Sequence, residues 1–66
     1  MRVVIRYQNR REVSLPGPRR VQDVLKELGL NPETVIVVQG RTLLTRDATV
    51  RDDETIEVLS AISGGA

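Results

Sequence analysis

The sequence contains no cysteine, histidine, tryptophan or phenylalanine, and Tyr7 is its single aromatic residue. Without cysteine or histidine, zinc, haem and iron–sulfur ligation lose their usual donors, so no metal site is expected. The same absences remove the thiol nucleophile and the imidazole base of most hydrolytic chemistry. Two carboxylates could still act as acid and base, but the acidic run Asp52-Asp53-Glu54 has the composition of a solvated turn rather than of a catalytic pair or a calcium loop. A chain of 66 residues also has little room to enclose a substrate pocket. The protein is therefore not expected to be an enzyme by itself.

Long apolar runs are missing as well, so neither a membrane span nor the apolar stretch of a signal peptide is expected. A net charge of +1 gives no strong field toward nucleic acid or an acidic membrane. These features predict a cytoplasmic protein, monomeric when alone and without a membrane partner. Chains of this length usually rely on disulfides or a metal for stability. Here aliphatic side chains must supply it, and 39% of the residues are hydrophobic.

What is present is a clear alternation of patterns. Val3, Ile5 and Tyr7 alternate with Arg2, Val4 and Arg6, the period of a strand with one buried face. Gln8-Asn9-Arg10 reads as a turn, and Val13 and Leu15 alternate with Glu12 and Ser14 in a second, hairpinned strand. Pro16-Gly17-Pro18 ends that strand, because proline cannot donate to a ladder. Val21, Val24, Leu25 and Leu28 then follow the i, i+3, i+4, i+7 spacing of an amphipathic helix. Asp23 suits its first turn and Gly29 its C-terminal stop, but Arg19-Arg20 offers no side-chain cap at its start. Val35 to Val38 is a β-branched strand, Thr42-Leu43-Leu44 a shorter one, and Ile56 and Val58 mark a last strand. Between them, Thr45 to Glu54 is polar with Val50 as its one anchor.

The order strand, strand, helix, strand, short strand, strand predicts a two-layer α+β fold with one helix on a mixed sheet of four to five strands. Residues 1–59 form the expected domain and residues 60–66 a tail. That tail reads Ser60-Ala61-Ile62-Ser63-Gly64-Gly65-Ala66.

The hairpin, the helix from Val21 to Leu30, the valine-rich strand and the Gly64-Gly65 pair resemble the ubiquitin-like, β-grasp sulfur carriers. This family serves thiamine, molybdopterin and tRNA-thiolation pathways. The stretches Leu30-Asn31-Pro32-Glu33-Thr34-Val35 and Val58 to Gly65 are most similar to the tRNA-thiolation carrier of thermophilic bacteria. The resemblance implies a carrier that binds no cofactor and is a co-substrate of an E1-like adenylyltransferase. The partner would consume ATP to adenylylate the Gly65 carboxylate, with Gly64 beside it. A sulfur donor, a cysteine desulfurase or a rhodanese-type protein, would then convert it to a thiocarboxylate for a tRNA-thiolation enzyme.

The residues agree with that chemistry. Glycine has no Cβ, so backbone can thread a narrow channel and approach a nucleotide closely. Ser60, Ala61 and Ser63 around Ile62 suit a flexible tether. A chain without cysteine also cannot carry sulfur as a side-chain persulfide. One residue departs from the pattern, since Ala66 follows the diglycine. A peptidase must remove it, or it is an artificial addition, or the carrier is inactive.

Parity also predicts a partner surface. If Ile56 and Val58 face the helix, Leu59 and Val4 face away from it and share an exposed apolar patch with Ile36 or Val38. Continued through Ile62 and Ser63, that patch is the expected dock for the activating enzyme. The pairs Arg10-Arg11 and Arg19-Arg20 could share one end of the molecule and touch RNA, although solvated loop charge accounts for them without aromatic stacking partners.

Two alternatives stay open. In one the chain is a covalent protein modifier joined through Gly65 to target lysines, with Lys26, its only lysine, and its N-terminus as the self-conjugation acceptors. In the other it is a non-covalent β-grasp interaction or RNA-binding module, for which the tail is irrelevant.

Overall fold

The computed structural model describes residues 1–6 and 9–61. Its elements are β1 (Arg2–Ile5), β2 (Arg11–Ser14), β3 (Arg19–Arg20), α1 (Val21–Glu27), β4 (Val35–Gln39), β5 (Thr42–Leu44), β6 (Thr49–Val50) and β7 (Thr55–Ser60). Five strands form one sheet in the order β2-β1-β7-β4-β5, while β3 and β6 form a separate two-stranded ribbon. β1 and β7 run parallel at the centre, and every other neighbouring pair is antiparallel. A mixed sheet of this order with one helix is the ubiquitin-like β-grasp fold.

The inner face of the sheet follows the predicted parity. Val3 and Ile5 of β1, Ile56 and Val58 of β7 and Val37 of β4 are buried against Val21, Val24 and Leu25 of the helix. Each such aliphatic side chain contributes roughly 1.5–3 kcal/mol on full burial, which is how the fold does without disulfides. Val50, the anchor expected in the polar stretch after Leu44, is fully buried in the same core, and Ala48 packs against it.

The helix start shows why no cap is legible in the sequence. Arg20 occupies the N-cap position without a side-chain hydrogen bond. Instead, the amides of Val21 and Gln22 donate to the carbonyls of Ala48 and Arg46, each at 2.9 Å. The orphan donors of the first turn are thus satisfied from a loop more than twenty residues away. At the other end Gly29 takes a φ of +73°. Its amide donates to Lys26 O and that of Leu30 to Leu25 O, the paired bonds of a Schellman stop.

Several boundaries move. β1 ends at Ile5, and Tyr7 and Gln8 lie outside the described residues. The hairpin partner runs Arg11–Ser14 rather than Glu12 to Leu15. Arg19 and Arg20 are not loop residues but β3, paired with Val50 and Thr49. β7 continues through Ser60, which pairs with Val35, and the amide of Ala61 donates to Thr34 O at 3.0 Å. No helix among the described residues is long and apolar enough to cross a membrane.

The acidic run forms the turn that precedes β7. Asp52 Oδ1 accepts the Gly17 amide at 2.9 Å, and Glu54 Oε1 accepts the Arg51 amide at 2.7 Å. The Arg51 amide is the main cause that lowers the Glu54 pKa from its ordinary value, aided by the Gln39 side chain and the Arg51 charge. A carboxylate with a depressed folded-state pKa favours the fold above its unfolded pKa, and the gain is lost as pH falls through the folded value. Glu54→Gln is therefore expected to flatten the acid limb of a stability–pH curve measured by urea unfolding below the ordinary carboxylate range. An unchanged acid limb would remove Glu54 from the account.

Candidate functional site

The direction of β7 decides where the tail leaves. Because β1 is parallel to β7, the Ile5 end of β1 and the Ser60 end of β7 coincide, and the Arg6 amide reaches Val58 O at 2.9 Å. Because β4 is antiparallel, its first residue Val35 sits at that same end. The chain after Ala61 thus departs between the β1–β2 hairpin and the Asn31–Thr34 loop. Ile62, Ser63, Gly64, Gly65 and Ala66 lie outside the described residues.

On the sheet face turned away from the helix, registers bring side chains from five strands together. Leu59 lies opposite Ile36, and Val38 lies between Glu57 and Leu43. Glu57 in turn neighbours Val4, and Val4 neighbours Glu12. Both Ile36 and Val38 belong to this face, not one of them. Leu59, Ile36 and Val38 are half-buried, and Leu43 is 70% exposed. Leu43 is the residue that the sequence reading missed. Its signal was alternation with Thr42 and Leu44, too short to orient without knowing what β5 pairs with.

Val4 corrects the predicted patch. It has the expected parity, yet only 6% of it is exposed. β1 is flanked on both sides by strands, so the longer Glu12 and Glu57 side chains beside Val4 stand over it. Val4 is a floor under the face, and the accessible apolar surface shifts toward β4 and β5.

The β1–β2 half of this face is charged. Arg6 Nη1 pairs with Glu57 Oε2 at 3.1 Å, Arg2 Nε lies 3.7 Å from Glu12 Oε1, and Arg10 Nη2 lies 4.0 Å from Glu12 Oε2. Exposed pairs of this kind contribute about 0–1 kcal/mol to stability. Glu12 and Glu57 thus offset part of the positive charge of Arg2, Arg6 and Arg10 on this half of the face, and the charged side chains guard the β2 edge from pairing with another chain.

The two arginine pairs do not share an end. Arg10-Arg11 belong to the hairpin at the tail exit, whereas β3 follows Gly17, which is bonded to the Asp52 turn at the far end. Arg19 is also ion-paired with Glu27. A composite basic patch for RNA is therefore not formed by these residues. No group of three or more acidic side chains able to hold a metal occurs among the described residues. A depression lined by Met1, Ser14, Asp52 and Glu54 also lies at the far end, away from the tail.

Of the two amines, that of Met1 donates to Leu15 O at 2.7 Å and lies 3.8 Å from Asp52 Oδ1. Lys26 is exposed in the last turn of α1.

Comparison with known proteins now decides the family. The family model described as small archaeal modifier protein 2 matches residues 1–62. The chain belongs to that ubiquitin-like family. It is also 58% identical over 65 residues to "Sulfur carrier protein TtuB" of Thermus thermophilus, covering 98% of this chain and 100% of that protein. An uncharacterized protein of Archaeoglobus fulgidus is 39% identical over 54 residues, covering 82% of this chain and 78% of its own length. The first match spans the whole β-grasp domain, so the strand order and outer face above are those of a chain similar to a sulfur carrier throughout.

The outer face makes a direct prediction about folding. Val4→Asp places an unpaired carboxylate under Glu12 and Glu57 and should cost about 3–5 kcal/mol. Leu59→Asp, at a half-exposed position, should cost on the order of 1 kcal/mol. Urea unfolding of the two variants should separate them clearly, and equal losses would show that Leu59 is as much a core residue as Val4.

Proposed function

We propose that this protein is a cytoplasmic sulfur carrier whose reacting group is the Gly65 carboxylate. An E1-like adenylyltransferase joins that carboxylate to AMP from ATP and releases pyrophosphate. The outer sulfur of a persulfide on a cysteine desulfurase or rhodanese-type donor then displaces AMP to give an acyl disulfide, and a second thiol breaks its S–S bond, leaving the C-terminal thiocarboxylate and a disulfide. The sulfur is finally delivered to a tRNA-thiolation enzyme. The full-length similarity to a protein named as a sulfur carrier is the observation that carries this reading.

The physical chemistry supports it. A carboxylate is a poor electrophile, and the mixed anhydride with AMP makes its carbonyl reactive toward sulfur. Gly64 and Gly65 let the chain end enter a narrow site without steric conflict. The protein itself supplies binding and delivery, because it has no cysteine or histidine to act on the carbonyl. The Gly65 carboxylate exists only in a chain without Ala66.

The outer face is the proposed dock for the activating enzyme. Leu59 is the last apolar residue of β7 before the tail, and Ile36, Val38 and Leu43 extend the surface from it. Ile62 and Ser63 would continue the contact toward Gly64 and Gly65. Val4 contributes as support beneath this surface. Leu59→Asp should lower adenylylation by at least about tenfold while the protein stays folded. Normal adenylylation of the folded variant would remove the face from the proposal.

Intact mass of the protein from its own cells tests the chemistry itself. Recovered without reducing agents or alkali, it should include a species ending at Gly65 with one oxygen replaced by sulfur. Deleting Gly64 and Gly65 should abolish that species. Uniform, unmodified protein that retains Ala66 would overturn the carrier reading.

A further inference from the structure

The Asn31–Thr34 loop holds the last tie between the fold and the tail. Proline at position 32 keeps Asn31 out of the helical region. The Asn31 side-chain oxygen accepts the Glu33 amide at 2.9 Å. Its backbone carbonyl accepts both the amide and the hydroxyl of Thr34, each at 3.0 Å. Two of these bonds hold Thr34 directly through the Asn31 backbone, and the side-chain bond holds Glu33 and so keeps the turn in which they form. The Thr34 carbonyl in turn accepts the Ala61 amide at 3.0 Å, one residue beyond the end of β7.

This tie sets the reach of the reacting group. From Ala61 to Gly65 the chain advances four residues, which span at most about 14 Å when extended. A partner that docks on the outer face must hold its nucleotide within that distance. Releasing Ala61 adds a residue to the free segment, and its backbone must be ordered each time the carboxylate meets the nucleotide. Small errors in the placement of reacting atoms have large effects on rate. Asn31 is exposed and lies in a loop, outside the apolar outer face, so its effect on reach is separable from docking.

We infer that Asn31 is a positioning residue for activation of the tail: its side chain holds the Glu33 amide, which keeps the turn whose carbonyl grips Thr34, and so fixes the point at which Ala61 leaves the sheet toward Gly65. The inference rests on the proposed function and names a determinant of that same site. The role is indirect, since Asn31 acts through Thr34 and Ala61 rather than on the reacting carbonyl.

The test uses chains ending at Gly65, a purified E1-like adenylyltransferase from the same organism, and ATP–pyrophosphate exchange as the readout. Amide hydrogen exchange at Ala61 is followed in parallel on each carrier alone. Asn31→Ala should speed exchange at Ala61 and lower kcat by about three- to tenfold with KM for the carrier unchanged. Asn31→Asp, whose carboxylate can still accept the Glu33 amide, should restore both. Leu59→Asp provides the contrast, raising KM without altering exchange at Ala61. Faster exchange at Ala61 with unchanged kcat would overturn the inference, as would a change confined to KM. Absence of activation with the wild-type carrier would instead overturn the functional reading, while exchange at Ala61 would still decide whether Asn31 braces the tail.

Discussion

The placement of β7 between β1 and β4 is the constraint from which the remainder follows. Its inner residues Ile56 and Val58 are fully buried against the helix, so the strand cannot slip by one residue without turning both into solvent. That register fixes the other face at the same time, putting Glu57 between Val4 and Val38 and Leu59 beside Ile36. It also fixes the direction in which the chain leaves. A packing requirement on one side of the sheet therefore determines the composition of the surface on the other and the end of the sheet at which Ala61 lies.

The absence of cysteine, histidine, tryptophan and phenylalanine has a structural counterpart. A core of valine, leucine and isoleucine is small, and the fold compensates with connections that bond to one another. The loop at Arg46–Ala48 completes the helix start, the Asp52 turn holds Gly17, and the N-terminal amine is tied to Leu15. Each of these bonds joins segments distant in sequence, which is how a short chain without cross-links holds its ends in place.

Chemistry and scaffold are separated in this design. The inner face makes the fold and the outer face offers apolar contact from β4, β5 and β7 beside a charged half, while the proposed reacting carboxylate belongs to the tail. In the proposed function the carrier is handled by more than one enzyme, and a backbone terminus beside a moderately apolar face would present the same chemical handle to each. The modest affinity expected of a small apolar surface with a charged border suits exchange between partners.

Residue patterns alone determined the helix, the strand parity and the class of fold, because periodicity of 3.6 or 2 is a local consequence of burying one face. They also determined what the protein could not do, since no side chain is available for thiol or imidazole chemistry. The diglycine and the family resemblance pointed to the tail. Tertiary structure decided what depends on neighbours. Val4 was predicted exposed from its parity, but strands on both sides bury it. Leu43 became the most exposed large apolar residue among the described residues because β5 is an edge. Arg19 and Arg20 became a strand because Val50 had to enter the core beside them. The bond from Ala61 to Thr34 was equally illegible, because its two residues lie far apart in sequence and meet through backbone atoms common to every residue type.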